Sequence, residues 1–543
     1  MIAPDVGGSF GMKLHVYNEE MAVVAASIFL GRPVRFVADR LESFVSDIHA
    51  RDHTVHARMA LSADGTILAM DVDDVTQVGP FSSYPRTSVV EGNQVIRLMG
   101  APYKMPDYRG RLRVVFQNKV QTSQYRAVGH PIASAVTEAL VERAAEIVGL
   151  DPFEIRRKNL ISDDAYPHVS ATGYQFEKLS HQQCLSKLHE LMNYEALREE
   201  QKTLRKKGIY RGIGIASFVE ITNPGAAFYG VGGARISSQD GAVIRLTPAG
   251  DVHCAISVTE MGQGTETIIA QVVADQLGVR PDQVKVTPGD TDHTPNGGAT
   301  WACRGAGIGG ETALRAGRKL QAQILDIAGA ILQADPALLT LANGSVVDAA
   351  TGQERMTLAE VGRVATYRPD TLPTGVDNSL TAARHFAPTG YPFDFTNGVQ
   401  ASYLEVDIET GVTRLLKHWV VEDCGRIINP LLVDEQIRGG VVQGLGPAFF
   451  EECLYDETGQ MTNASLADYL VPMAGEMPDI EIGHVETPTQ DTILGAKGVG
   501  EAGTAAAGAA AMNAVNDALK PMGARISQTP MTPLRILTAL GHV

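Results

Sequence analysis

Gly498-Val499-Gly500-Glu501-Ala502-Gly503 opens an alanine-rich helical pattern over 504–519, and how it is understood decides the fold. The stretch matches GxGxxG, as does Gly305-Ala306-Gly307-Ile308-Gly309-Gly310. As dinucleotide fingerprints the two would predict a doubly wound parallel sheet and a nicotinamide-linked dehydrogenase. Such a fingerprint needs a buried strand before it, a crossover unit after it, and an acidic residue about 20 positions on. Residues 299–304, Ala-Thr-Trp-Ala-Cys-Arg, make a poor strand, and only 40 residues follow Gly503. Glu501 would also set a carboxylate against the pyrophosphate. The nicotinamide-dependent dehydrogenase therefore stands as the alternative only, and the chain contains no Walker A pattern.

The same glycine-then-helix arrangement recurs elsewhere. Gly7-Gly8-Ser9-Phe10-Gly11-Met12-Lys13 leads into 17–30, Met261-Gly262-Gln263-Gly264 into 265–277, and Gly305 to Gly310 into 311–327. A helix start offers unpaired N–H groups and a partial positive charge, and glycine lets a ligand approach the main chain. Four such corners would suit one large, multiply anionic ligand. The competing explanation is that glycines turn corners and allow close helix packing.

Hairpins alternate with helices along the chain. Residues 53–78 form two strands around Ala63-Asp64-Gly65-Thr66; 243–258 repeats the layout around Pro248-Ala249-Gly250-Asp251, and 401–422 around Glu409-Thr410-Gly411. The helix at 132–148 stops at Gly149, and Asp151-Pro152-Phe153-Glu154 starts the next with an N-cap, a proline and an acidic third position. The polar stretch 162–190 separates two related halves, 1–165 and 190–540, of an α+β protein of mixed helices and antiparallel hairpins.

Composition limits the function. With 543 residues the chain can bury several cores, and a formal charge of −16 without a charged block argues against nucleic acid as a general partner. The longest apolar run, Met21 to Leu30, is about half of what a bilayer requires and is expected to be a buried helix. No secretory signal opens the chain, so a cytoplasmic home is expected. Five scattered cysteines without a CxxC predict no disulfide scaffold, no zinc site and no iron–sulfur cluster held by this chain.

Individual residues carry the chemistry. Glu501, set among Gly, Ala and Val, would have the raised pKa of a general base if its pocket is apolar; otherwise it is an ordinary helix N-terminal acid. Gln263 and Gln443 lie beside glycines where an amide reaches either a ligand or loop backbone. Arg126 suits an anionic oxygen or a structural ion pair. His130, with no acid or cysteine near it in sequence, is expected to be structural.

Taken together, these stretches resemble the molybdenum-cofactor-binding large subunits of the xanthine dehydrogenase/aldehyde oxidase/carbon monoxide dehydrogenase family. The resemblance rests on Asp5-Val6-Gly7-Gly8-Ser9-Phe10-Gly11-Met12-Lys13, Tyr125-Arg126, Thr259-Glu260-Met261-Gly262-Gln263-Gly264, Glu422-Asp423-Cys424-Gly425-Arg426-Ile427-Ile428-Asn429-Pro430, Gly439-Gly440-Val441-Val442-Gln443-Gly444 and Gly498-Val499-Gly500-Glu501. It implies two molybdopterin-binding halves and a molybdenum–molybdopterin, in the cytosine dinucleotide form, gripped by Gly8, Phe10, Gly11, Arg126, Met261, Gly262, Gln263, Gly264, Ala302, Cys303 and Gln443. The metal itself would be held by the pterin dithiolene and not by the protein. It further implies hydroxylation of an aldehyde or N-heteroaromatic carbon with water as oxygen source and Glu501 as general base. Electrons would pass to 2Fe-2S and FAD groups on partners, an iron–sulfur small subunit and a FAD medium subunit.

Two departures from the family pattern qualify this. Copper-dependent carbon monoxide dehydrogenases carry a cysteine directly after the Tyr-Arg pair, where this chain has Ala127, so carbon monoxide oxidation is disfavoured. Family members also have a region before the first glycine motif. Its counterpart is expected on a separate chain, or else the chain is an inactive, truncated family member.

Overall fold

The computed structural model describes residues 1–231 and 235–543. At its centre lies a four-stranded sheet in the order Asp479–His484, Thr413–Asp423, Asp394–Val406, Tyr210–Thr222. Asp394–Val406 pairs antiparallel with both neighbours, and Asp479–His484 adds in parallel to Thr413–Asp423. Tyr210–Thr222 and Asp394–Val406 are buried along almost their whole length, their polar side chains included, because both faces of the sheet are covered. Helix Ala502–Leu519 packs on these two strands together with His130–Val148, and helix His181–Leu191 also packs against the sheet.

The contact between strand and helix is unusually close because both sides are small. A Cβ on Gly212 would lie 1.8 Å from the Ala514 carbonyl oxygen, and one on Gly214 would lie 2.1 Å from that of Ala510. The helix answers with alanines: Ala505, Ala506, Ala507, Ala509, Ala510, Ala511, Ala514 and Ala518 are all buried. The alanine-rich tail of the opening motif is thus the covering layer of the central sheet.

A second four-stranded sheet, in the order Thr381–Phe386, Asp240–Leu246, Val252–Ile256, Val284–Thr287, carries helices Thr265–Leu277 and Gly310–Leu332. A three-stranded sheet, His53–Leu61, Ile67–Gln77 and Asp107–Val115, stands in the N-terminal part. All three expected hairpins form antiparallel pairs. Helix His130–Val148 stops at Gly149 in the left-handed region, and Asp151 caps Pro152–Asn159 with Glu154 closing the box.

The dinucleotide alternative fails on topology. Residues 305–309 wind as a π-helical turn straight into Gly310–Leu332, and the last strand before Gly498 ends at His484. Neither glycine motif follows a strand.

One expectation is corrected. Helix Asn18–Leu30 has no buried residue; Ile28 is 79% and Phe29 90% exposed. Its apolar residues surround the whole circumference, so the run marks a helix that favours burial without specifying a face; only the side at Glu19, Val23, Ala26 and Ser27 is partly covered. No helix among the described residues is long and apolar enough to cross a membrane.

Candidate active site

Arg126 ties distant segments together. Its main-chain N–H donates to the Phe10 carbonyl at 2.8 Å, and its guanidinium lies 5.5 Å from the Phe10 ring centre. Nε donates to the Gly500 carbonyl, Nη1 to the Gln443 side-chain oxygen at 3.0 Å, and Nη2 to the main-chain and side-chain oxygens of Gln436 at 3.0 and 3.1 Å. A single buried guanidinium therefore joins the loop containing Gly8 and Gly11, helix Pro430–Phe449 and the residue next to Glu501. Its partners among the described residues are neutral oxygens and not a carboxylate, so Arg126 makes no structural ion pair.

The loop at 259–264 meets the loop at 299–305: the Thr300 hydroxyl donates to the Thr259 carbonyl at 2.8 Å and accepts from the Thr259 N–H at 2.9 Å. Ala302 and Cys303 both adopt left-handed backbone, at φ 46° and 54°, which is uncommon for residues other than glycine. The three glycines of 498–503 answer to neighbours here. A Cβ on Gly498 would lie 2.0 Å from the Cys303 carbonyl oxygen, one on Gly500 3.2 Å from the Cys303 sulfur, and one on Gly503 2.2 Å from the Ile437 carbonyl oxygen. Close packing, not phosphate approach, accounts for this GxGxxG.

The expected free donors at Met261-Gly262-Gln263-Gly264 are in use. One Glu260 carboxylate oxygen accepts from the N–H groups of Met261, Gly262 and Gly264 at 3.0–3.2 Å, and the other from Glu266 at 3.0 Å. Gln263 also turns back on its loop: its amide donates to the Thr259 carbonyl and the Thr265 hydroxyl and accepts from Met261. The chain's own carboxylate occupies the helix start that sequence reasoning left open to an anion.

Glu501 sits at the N-cap of Ala502–Leu519 without capping it by its side chain. The helix start is anchored instead by Gln400, which donates to the Ala502 carbonyl at 2.9 Å, and by the Thr504 hydroxyl, which donates to the Gly440 carbonyl at 2.8 Å. Glu501 lines a narrow pocket with Arg86, His130, Phe228, Trp301 and Phe393. Burial raises its pKa, partly opposed by the Ala127 N–H and by the charges of Arg86, Arg126 and Arg51. The carboxylate thus stands in a pocket with aromatic walls that also holds the polar side chains of Arg86, Gln94 and His130. His130 accepts from the Ile221 N–H at 3.0 Å, and burial lowers its pKa to about 4, so it is a neutral wall of the pocket.

Two residues of this site escaped sequence reasoning. Arg86, 4% exposed, spans Phe228 and Trp301 at 5.7 Å from each ring, and burial lowers its pKa to about 10. Nothing in its local sequence distinguishes it. Glu220, fully buried in strand Tyr210–Thr222, brings a carboxylate oxygen within 4.8 Å of both the Cys303 sulfur and a Glu501 carboxylate oxygen. Its signal was readable: an acid set directly between Val219 and Ile221 in a strand rich in apolar residues.

Models of the molybdopterin cofactor-binding domain match residues 1–160 and 187–478. The chain is 34% identical to the nicotine 6-hydroxylase large subunit of Paenarthrobacter nicotinovorans over 99% of its own length and 66% of that protein. It is 31% identical to subunit gamma of the 6-hydroxypseudooxynicotine dehydrogenase complex of the same organism, over 98% of this chain and 66% of the relative. The crystal structure of quinoline 2-oxidoreductase from Pseudomonas putida 86 superposes with a TM-score of 0.94 at 36% identity, covering 99% of this chain and 68% of that one. The chain thus spans about two thirds of the length of the curated relatives it matches. Two molybdopterin-binding domains in this order, carried on a fold shared with quinoline oxidoreductase, make the chain a member of the xanthine dehydrogenase family of molybdopterin-binding large subunits.

Proposed function

We propose that the chain forms the catalytic part of a molybdenum hydroxylase that oxidises an electron-poor carbon of an N-heteroaromatic, with an aldehyde as the second substrate class. The observation that carries this reading is the carboxylate of Glu501 in a pocket walled by Phe228, Trp301 and Phe393, instead of on its own helix terminus. Aromatic walls suit a flat ring. The similar proteins named for nicotine and quinoline point to the same class. Ala127 stands where copper-dependent carbon monoxide dehydrogenases carry a cysteine, directly after the Tyr-Arg pair, which disfavours carbon monoxide.

A molybdenum–molybdopterin, when bound, supplies the acceptor for the two electrons of the C–H bond and holds its metal by its own dithiolene. The residues assigned to it are Gly8, Phe10, Gly11, Arg126, Met261, Gly262, Gln263, Gly264, Ala302, Cys303 and Gln443. They leave room for an organic group at Gly262, which has no heavy atom within 4 Å of where a Cβ would stand, although the N–H groups of Met261, Gly262 and Gly264 are held by Glu260. A pyrophosphate, as in the cytosine dinucleotide form, would have to displace the Glu260 carboxylate from the amides of 261–264. Glu501 takes the proton of the attacking, water-derived hydroxyl, and Arg86 and Arg126 keep the carboxylate ionised beforehand. Ala127 holds it in place through its N–H. Phe228, Trp301 and Phe393 exclude bulk water from the carboxylate.

The proposal places the two cofactor-binding domains at 1–165 and 190–540, in the cytoplasm, with an iron–sulfur small subunit and a FAD medium subunit as electron partners. The test is to purify the complex, measure molybdenum, and follow quinoline, pyridine and aldehyde oxidation in isotope-labelled water. Molybdenum with label in the product is expected; a metal-free complex or an unlabelled product overturns the proposal.

A further inference from the structure

Glu220 and Glu501 are brought together from sequence positions far apart, one in the middle of a central strand and the other on the loop that opens the covering helix. Glu220 is fully buried, and neither of its oxygens makes a hydrogen bond of good geometry. A carboxylate oxygen of each and the Cys303 sulfur lie within 4.8 Å of one another. Two carboxylates this close in a buried site do not both ionise.

We propose that Glu220 and Glu501 share one proton, with Glu220 the neutral acid and Glu501 the anion, so that Glu220 is a positioning residue that sets the ionisation of Glu501. The role of Glu501 in turnover rests on the function proposed above; the protonation of the pair does not.

The surroundings decide which member carries the charge. Arg86, Arg126 and Arg51 act on Glu501, and the Ala127 N–H points to its carboxylate. Around Glu220 stand Cys303, whose thiol burial and the two acids hold protonated, and the charges of Glu501 and of Glu422, two strands away in Thr413–Asp423. His130 is neutral. Arg126 also acts on Glu220, and the Cys303 thiol and the Glu501 N–H favour its charged form, but burial and the charge of Glu501 outweigh them, so the anion settles on Glu501 and the proton on Glu220. When Glu501 takes up a proton, the pair becomes neutral with both acids protonated; when Glu501 releases it, the single charge returns to the side facing the arginines.

The test is infrared difference spectroscopy of the carboxylic acid C=O stretch in the cofactor-free protein, identified by its shift on deuterium exchange. Each single variant leaves one acid of the pair, and in the wild type the proton sits on the member that binds it more tightly. The acid band of Glu220 in Glu501→Gln is therefore expected to titrate at higher pH than that of Glu501 in Glu220→Gln, and the reverse order overturns the proposal. If Glu220→Gln does not fold, Glu501→Gln alone decides: an acid band of Glu220 lost at or below pH 4.5, the ordinary value, overturns the proposal. In the loaded complex, Glu220→Gln is expected to leave the acid limb of kcat/KM within about 0.3 pH units of wild type. An ionised Glu220 would instead give a fall of about one unit or more when removed. Glu220→Leu is expected to lower kcat about tenfold at unchanged KM, with Glu220→Gln restoring it. A fully active Glu501→Gln would refute the proposed function while leaving the shared proton standing.

Discussion

Nη1 of Arg126 donates to the side-chain oxygen of Gln443 at 3.0 Å across 317 positions of sequence. With its bonds to Gly500 and Gln436, the guanidinium pins the carboxylate-bearing loop to helix Pro430–Phe449. Arg126→Ala would remove the partner of the half-buried carbonyls of Gly500 and Gln436, and Arg126→Lys cannot supply the fork. Each charged hydrogen bond contributes on the order of 1.5–3 kcal/mol, so Arg126→Ala is expected to cost about 3 kcal/mol in chemical denaturation. Arg126→Lys should recover only part of that. Wild-type stability in Arg126→Ala would show that the loops hold their arrangement without it.

Glu501→Gln keeps the size and removes the basicity of the side chain. Turnover of the loaded complex is expected to fall at least about a hundredfold while molybdenum content stays at the wild-type level. The wild-type acid limb of kcat/KM should lie above the ordinary carboxylate range, because burial raises the Glu501 pKa and only the ionised form accepts a proton. Activity therefore falls as pH drops through that raised value. An acid limb at or below pH 4.5, the ordinary value, would mean that another group is titrating.

Much of the frame was legible because local chemistry specified it: Asp151 with Pro152 and Glu154 announced a cap, and Gly149 a helix end. Glu501 was legible as a carboxylate among small residues. Other features depend on what meets what in space. Gln263 looked like a ligand-reaching amide, yet Thr259 and Thr265 satisfy it, and Glu260 fills the amides around it. Arg86 gains its place only from the aromatic rings that close over it. Helix Asn18–Leu30 shows the reverse: its apolar sequence was plain, but hydrophobicity names a residue that favours burial and not its cover.

The contact of Gly212 and Gly214 with helix Ala502–Leu519 leaves no room for a side chain. Gly212→Ala would drive a methyl to 1.8 Å from the Ala514 carbonyl, where neither backbone can yield without separating strand from helix. A loss of about 3 kcal/mol is expected, with reduced soluble yield. Gly475→Ala is the control, since nothing lies within 4 Å of its added Cβ. Equal stability of the two variants would disprove the close packing that supports the loop of Glu501.

Asp394 makes a pH-dependent contribution whose sign can be worked out. It is 7% exposed, accepts from the Asn223 amide at 2.9 Å and the Thr489 hydroxyl at 3.1 Å, and burial raises its pKa from 3.8 to about 6. The folded state therefore binds the proton more tightly than the unfolded chain. Its stabilising contribution is fully present below pH 3.8 and is lost as pH rises through about 6. A shift of this size corresponds to about 3 kcal/mol. Asp394→Asn mimics the protonated form: its oxygen accepts from Asn223, and its amide donates to the Thr489 hydroxyl. Denaturation at a series of pH values should show the wild type losing stability relative to Asp394→Asn between pH 4 and 7. Parallel curves for the two proteins would mean that Asp394 is ionised in the folded state throughout, with its charge stabilised by Lys497 and not opposed by burial.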